Sequence, residues 1–371
     1  MSLYLAVASN FFFFASFQWT YATLPGYVQS IGGSLVHVGL ATALFSLSAV
    51  VTRPVMGSLA DRWGRRPLLI GGAAIFALAP VLYVALPSLW AFMTVRLVHG
   101  VGIAAFTTAL TALVADLVRA ERRGEALGLA GASSNLGLLL MPALGAAVVA
   151  RWGYGPHFGI AAGLAAASVL LACILRVPQP SAPAPAATPP LRSVARHRPV
   201  WVAAVSSTGL ALLYGAALSF VAPLAAERNL STAGLYFSAS AATILIAQSA
   251  AGWLSDRVGR RAVVAPGLAV AALAAAALAW VHTDAALIAA GALLGLSWGL
   301  VRAGLDAGVV DAVPYETRGT ALGVLYTCFD AGIGAGSFGL GLVVQAWGYA
   351  SAFYLAAAWA LATLALYVRV K

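Results

Sequence analysis

Apolar and polar residues alternate along this chain on a scale of about twenty residues, far longer than the period of a soluble helix or strand. Twelve apolar stretches stand out, at approximately 3–25, 36–60, 67–86, 89–118, 125–149, 157–175, 200–224, 231–254, 262–281, 285–311, 319–345 and 350–369. Each is long enough to cross a bilayer core of roughly 30 Å as a helix. The pattern predicts an all-α membrane protein with twelve transmembrane helices. The run beginning at Leu3 has no basic segment before it and reads as the first span, not as a cleaved signal. Between the sixth and seventh stretches lies Pro178–Pro199, where prolines oppose a helix. The expected organisation is a helical bundle over 1–175, a linker over 176–199 and a second bundle over 200–371.

The polar connections carry a repeat. Gly57–Leu69 reads GSLADRWGRRPLL, and Gly252–Val264, 195 residues later, reads GWLSDRVGRRAVV. Gly57, Asp61, Arg62, Gly64, Arg65 and Arg66 recur as Gly252, Asp256, Arg257, Gly259, Arg260 and Arg261. At the same offset Asp116, Glu121, Arg123 and Gly124 recur as Asp311, Glu316, Arg318 and Gly319, and Trp152-Gly153-Tyr154 recurs as Trp347-Gly348-Tyr349. Three blocks at one offset imply a duplicated unit whose halves run in the same order.

Composition sharpens the class. The chain is 62% hydrophobic and 9% charged, against roughly 25% charged in soluble domains. Its formal charge is +10, yet placement argues against a nucleic-acid partner. Sixteen of the 21 Lys and Arg fall in alternate connections and at the C-terminus, Arg151 and Arg228 fall in the opposite set, and Arg53, Arg96 and Arg302 sit inside apolar stretches. That asymmetry predicts that both termini and the linker are cytoplasmic. Cys173 and Cys328 lie in apolar stretches and imply no disulfide framework.

Several chemistries find no support. The sole lysine is Lys371, so no P-loop exists and ATP-driven transport by this chain is not expected. Gly295-Leu296-Ser297-Trp298-Gly299 spells a hydrolase elbow but lies inside a span. Five scattered His residues offer no metal site. The expectation is therefore no enzyme activity, no metal and no cofactor.

The pattern G-x-L-[AS]-D-R-x-G-R-R, present twice between adjacent spans, resembles the signature of the major facilitator superfamily. The resemblance covers the whole chain and implies two six-helix bundles related by a pseudo-twofold axis, with a cytoplasmic linker. Within that family the chain is similar to twelve-span bacterial drug and metabolite efflux proteins. Arg96-Leu97-Val98-His99-Gly100-Val101-Gly102 is similar to their Arg-xxx-Gly-x-Gly pattern. Their fifth-span Gly-Pro and Gly-Gly pairs are met by Pro142 and Gly145, with Met141 and Ala146 in the other glycine places. The resemblance further implies that Asp61 and Asp256 dock at the helix starts near Gly319 and Gly124. There, with Asp116 and Asp311 pairing the loop arginines, they would latch one state of a gate. The alternative is that these charges only anchor the topology.

Charges inside the spans are the remaining candidates, because each costs at least ~2.5–3.5 kcal/mol at mid-bilayer. Asp330 stands about eleven residues into its span, at ~16 Å of helix rise and so near the midplane. It reads as a proton-coupling acid, with a structural hydrogen bond or pairing to a cationic substrate as alternatives. Arg302 and Asp306, four apart on one face, read as a salt bridge or a proton-gated switch. Asn10, Phe14, Phe17 and Tyr21 share a face of the first span, with Gln18 beside them, as a cavity wall or as packing aromatics. Arg53, Gln248 (its repeat mate), Arg96, His99, Asn135 (the mate of Asp330), Tyr214, Trp298 and Tyr326 complete the candidate cavity. The sequence thus points to a secondary transporter in a bacterial inner membrane, expected to be a monomer, exporting a small amphiphilic solute in exchange for protons. A metabolite importer or uniporter is the nearest alternative, and a non-transporting membrane receptor or scaffold the alternative of another class.

Overall fold

The computed structural model describes residues 1–119, 122–175, 197–314 and 317–369. Most of the linker, Glu121, Glu316 and Lys371 lie outside the described residues, as do the side chain of Asp61 and the surroundings of Gly319. The described chain runs α1 (Ser2–Trp19), α2 (Leu24–Ser30), α3 (Leu35–Trp63), α4 (Arg65–Ala85), α5 (Leu89–Asp116), α6 (Arg123–Trp152), α7 (Tyr154–Ile174), α8 (Arg198–Glu227), α9 (Ala233–Val258), α10 (Arg260–Ala279), α11 (Asp284–Ala312) and α12 (Arg318–Arg369). Among the described residues ten helices are long and apolar enough to cross a membrane. The last of them, α12, is broken by Gly348 at φ +78° and so supplies two spans, and the 18-residue apolar α1 completes the expected twelve.

Two boundaries differ from the expectation. The first span was read as 3–25, but α1 stops at Trp19 and a new helix starts with Pro25 in its first turn. Proline lacks an N–H and clashes inside a helix, yet suits a helix start. In the break, the Thr20 and Thr23 hydroxyls donate to the carbonyls of Phe17 (2.9 Å) and Thr20 (3.2 Å). The second difference lies in the duplicated motif, which the sequence places in a connection. In the structure its acidic end closes α3 and α9 and its paired arginines open α4 and α10, and only Gly64 (φ +88°) and Gly259 (φ +89°) leave the helices. Gly153 (φ +77°) joins α6 to α7 in the same way. A Cβ is disfavoured at such angles, so a reversal this tight calls for glycine.

The contact pattern divides the chain into two compact units, residues 1–33 with 44–184 and residues 34–43 with 185–371. In the first, α1 packs on α6 and α7, and α4 on α5 and α7. In the second, α8 packs on α12, and α10 on α11 and α12, which is the same set of pairings at the repeat offset. The first core is aromatic, with Phe13 stacked on Phe106 (3.8 Å) and tilted on Phe76 (4.1 Å). Both units also rely on close backbone approach at glycines, in the first at Gly100 and Gly145, where an added Cβ would lie 2.2 Å from a carbonyl oxygen. In the second, a Cβ on Gly295 would lie 2.0 Å from the Ser240 carbonyl oxygen, and one on Gly215 2.2 Å from that of Ile333. The first turns of α3 belong to this second unit: a Cβ on Gly39 would lie 2.2 Å from the Ser337 carbonyl oxygen, and Ser219 Oγ donates to Thr42 Oγ1 at 3.2 Å. Leu78, Val81, Leu170 and Ile246 are left exposed, as helices solvated by hydrocarbon require.

Replacing Gly259 by Val is expected to destabilise the protein by about 1–2 kcal/mol. The check is the thermal unfolding midpoint of the detergent-purified chain. Gly252→Ala, where an added Cβ meets nothing within 4 Å, is expected to leave that midpoint unchanged or slightly higher.

Candidate functional site

The first unit buries a cation among aromatic rings. Arg96 on α5 is 3% exposed, and its guanidinium lies 4.4 Å from the Phe45 ring centroid. One turn on, His99 Nδ1 lies 2.9 Å from the Tyr83 hydroxyl, and the imidazole meets Phe76 edge-on at 4.0 Å. Phe17 stacks on Phe45 at 5.0 Å and meets Tyr21 edge-on at 5.0 Å. Phe17, Tyr21, Arg96 and His99 are thus joined in one cluster, with Phe45, Phe76 and Tyr83 as members that the sequence reading lacked. A guanidinium over an aromatic face is stabilised by the ring quadrupole, which offsets part of its desolvation.

The other candidates of this unit lie elsewhere. Asn10 is buried, with Nδ2 2.8 Å from the Ala130 carbonyl, Ser133 Oγ and Ser134 Oγ. It ties α1 to α6, in keeping with the packing alternative. Gln18, also buried, lies against Gly137, where a Cβ would come 2.5 Å from its Oε1. Phe14 packs against the aromatic core. Arg53 Nη1 donates to Thr107 Oγ1 at 3.2 Å, and Asn135 is half-buried on α6.

The second unit holds an ion pair in an aromatic cage. On α11, Arg302 Nε donates to Asp306 Oδ2 at 3.1 Å, and the Tyr326 hydroxyl of α12 reaches the same oxygen at 3.4 Å. The guanidinium lies 4.1 Å from the Tyr326 ring centroid and 5.1 Å from that of Phe329. Trp298 extends the cage, 4.9 Å from Phe329 and 4.5 Å from Tyr214 of α8. Asp306 Oδ1 is buried with no hydrogen-bond partner among the described residues. Three helices thus bring Tyr214, Trp298, Arg302, Asp306, Tyr326 and Phe329 together. Phe329 was missed by sequence, although its spacing of three from Tyr326 puts both rings on one face. Asp330 is half-buried on α12, one turn beyond Tyr326, and Gln248 is exposed on α9.

The duplicated connections form two matching charge clusters, each inside its own unit. Arg65 Nη1 donates to the Ala60 carbonyl (2.6 Å) and its Nε lies 3.4 Å from Asp116 Oδ2. In the second copy Arg260 donates to Ser255 Oγ (2.6 Å), to Asp311 Oδ2 (3.0 Å) and to Asp256 Oδ1. Arg66 donates to the Cys173 carbonyl and Arg261 to that of Val368, again at matched positions. Arg62 is exposed, and Arg257 lies 3.9 Å over the Trp253 ring. An added Cβ at Gly57 would meet nothing within 4 Å. Arg65, Arg66 and Arg261 thus bond last-turn carbonyls, the groups a helix end leaves without intrahelical donors.

The family model for the Major Facilitator Superfamily matches residues 6–232 and 212–371. The chain is 31% identical over 140 residues to the inner membrane transport protein YajR of Escherichia coli K12, covering 38% of this chain and 30% of that protein. It is 30% identical over 182 residues to the multi-drug resistance efflux pump PmrA of Streptococcus pneumoniae, covering 47% and 45%. With the class C tetracycline resistance protein of Escherichia coli it shares 32% identity over 155 residues, covering 41% and 39%. The matched part spans less than half the length of each of these relatives. Among solved structures, a point mutant of the nucleoside transporter NupG superposes with a TM-score of 0.84 at 14% identity over 100% of both chains. The human organic anion transporter MFSD10 (TETRAN) gives 0.73 at 21% identity over 98% of each. At these identities the structural likeness speaks for the fold alone.

Asp306→Asn is expected to destabilise the chain by about 1–3 kcal/mol, because a half-buried guanidinium loses its counter-charge. Arg302→Gln combined with Asp306→Asn is expected to recover part of that loss. Thermal unfolding of the single and double variants in detergent measures the coupling.

Proposed function

The chain belongs to the Major Facilitator Superfamily, and on that premise we propose that it exports a small amphiphilic compound in exchange for protons. The family makes it a secondary transporter of a small molecule, embedded in a membrane. One observation carries the finer reading. In the second unit a carboxylate and a guanidinium pair inside four aromatic side chains, with one carboxylate oxygen left over. Flat aromatic faces suit an amphiphile with a ring or a cationic group, and do so without demanding one shape.

Asp306 takes the coupling role that the sequence alone gave to Asp330. Its Oδ2 is engaged by Arg302 and Tyr326, and its Oδ1 is buried and unpartnered. A proton landing on Oδ1 turns the carboxylate into an acid and leaves Arg302 as an uncompensated cation over the rings. A cationic group of the substrate would be attracted to that same oxygen. Two positive cargoes competing for one acceptor is the condition for exchange, since the site in alternating access carries one or the other.

The outward direction is supported by the relatives that are efflux and resistance proteins. An inner-membrane setting with cytoplasmic termini is supported by the arginine asymmetry along the chain. The transporting form is taken to be a monomer. Asp61 and Asp116, with their copies Asp256 and Asp311, keep the gating role that the family resemblance implies.

Reconstituted in liposomes, the full chain is expected to accumulate tetracycline or ethidium when the lumen is made acidic. Asp306→Asn should reduce that uptake to the level of protein-free liposomes and weaken counterflow of ethidium, whose cation would lose the same oxygen. Uptake indifferent to the gradient would remove proton coupling, and a gradient response lost in Asp330→Asn but kept in Asp306→Asn would return the role to Asp330.

A further inference from the structure

The second unit contains a cavity of about 380 Å³ whose lining includes none of the residues of the aromatic cage. It opens between the starts of α8 and α10, the last turns of α11 and the end of α12. Its polar lining is Arg198, Arg260, Arg261, Asp311 and Tyr367. Its remaining lining is apolar or glycine, with Gly304 and Gly308 along α11. Arg260 is committed to Asp256 and Asp311, and Arg261 to the Val368 carbonyl. Among the described residues neither Arg198 nor Arg261 has a carboxylate partner, so the cavity carries surplus positive charge.

The duplication supplies a control within the same molecule. Arg260, Arg261 and Asp311 have first-unit mates in Arg65, Arg66 and Asp116, bonded in the same way. Two features of the cavity have no such mates. Gly308, where an added Cβ would meet only Arg260 Cγ at 3.9 Å, corresponds to Leu113, fully buried in the first core, and Arg198 corresponds to Leu3, packed against that core. The second unit has thus lost a leucine side chain where the first is filled, and has gained a guanidinium at the mouth. Neither change touches the contacts both halves share, arginine to Asp116 or Asp311 and arginine to the Cys173 or Val368 carbonyl.

We propose that this cavity binds a phosphate group, and specifically the headgroup of an anionic phospholipid. Guanidinium groups match phosphate oxygens with paired N–H donors. The cavity lies at the charged ends of spanning helices, where headgroups are found, and its apolar lining suits the glycerol and first methylenes of a lipid better than a free ion. Basic pockets between helix ends at a membrane surface recognise such headgroups.

Native mass spectrometry of the full chain, released from nanodiscs of phosphatidylglycerol or of phosphatidylcholine, tests this. Phosphatidylglycerol is expected to be retained and phosphatidylcholine lost. Arg198→Leu should weaken retention about fivefold, with Arg198→Lys restoring part of it. Gly308→Leu, which restores the first-unit residue, should abolish retention. The thermal midpoint in detergent shows which variants are folded, and Arg198→Leu decides the matter if Gly308→Leu is not. Equal retention of both lipids, or retention unchanged in folded variants, overturns the proposal. Displacement of phosphatidylglycerol by millimolar inorganic phosphate, with phosphate adducts lost in Arg198→Leu, would keep the phosphate site and overturn the lipid as its occupant.

Discussion

A cation or a free backbone carbonyl surrounded by hydrocarbon has no water to turn to, so the protein must supply its partner. The guanidiniums of this chain follow that constraint. Arg96 lies on Phe45, and Arg302 lies on Tyr326 and against Asp306. Arg65, Arg66, Arg260 and Arg261 hold carbonyls or hydroxyls at helix ends. The need for partners fixes where arginine is tolerated, and those places are aromatic clusters inside the spans or the points where the chain turns back on itself.

The two units share a frame and differ in their interiors. Matched bonds recur at the loops, including Arg123 to the Ala115 carbonyl (3.2 Å) and Arg318 to that of Val310 (3.1 Å). Even the helix caps correspond, with Ser88 accepting from Ala91 and Thr283 from Ala286. Inside, the correspondence ends. The ion pair Arg302–Asp306 stands where the first unit has Thr107 and Thr111, and Arg96 and His99 stand where the second has Gly291 and Leu294. Duplication supplied two copies of a scaffold, and divergence placed an anion-bearing cage in one and a buried cation with an imidazole in the other.

The spans were readable in the sequence because hydrocarbon enforces length and apolarity together. Where the reading slipped, hydropathy was blind to backbone chemistry. Pro25 is apolar and so prolonged the first span, although it opens a new helix after α1 has ended at Trp19. The arginines of the repeated motif looked like loop residues because they are charged, but Arg62 and Arg257 end helices and the other four begin them. The Arg302–Asp306 pair was legible from its spacing. Its cage was only half so, since Tyr326 and Phe329 share a face but nothing local brings α12 to α11. Asn10 shows the opposite failure. Helical spacing grouped it with Phe14 and Phe17, yet a helix packed on several sides has more than one inward face, and only tertiary structure says which neighbour lies behind each.

The single-glycine junctions at Gly64, Gly153, Gly259 and Gly348 bear on how such a chain is made. Each ties two long helices with one residue of slack, so neither partner can be threaded into the bilayer far ahead of the other. The helices so joined would then enter the bilayer pairwise. An extra residue at one of these glycines would uncouple that order before it disturbed the finished protein.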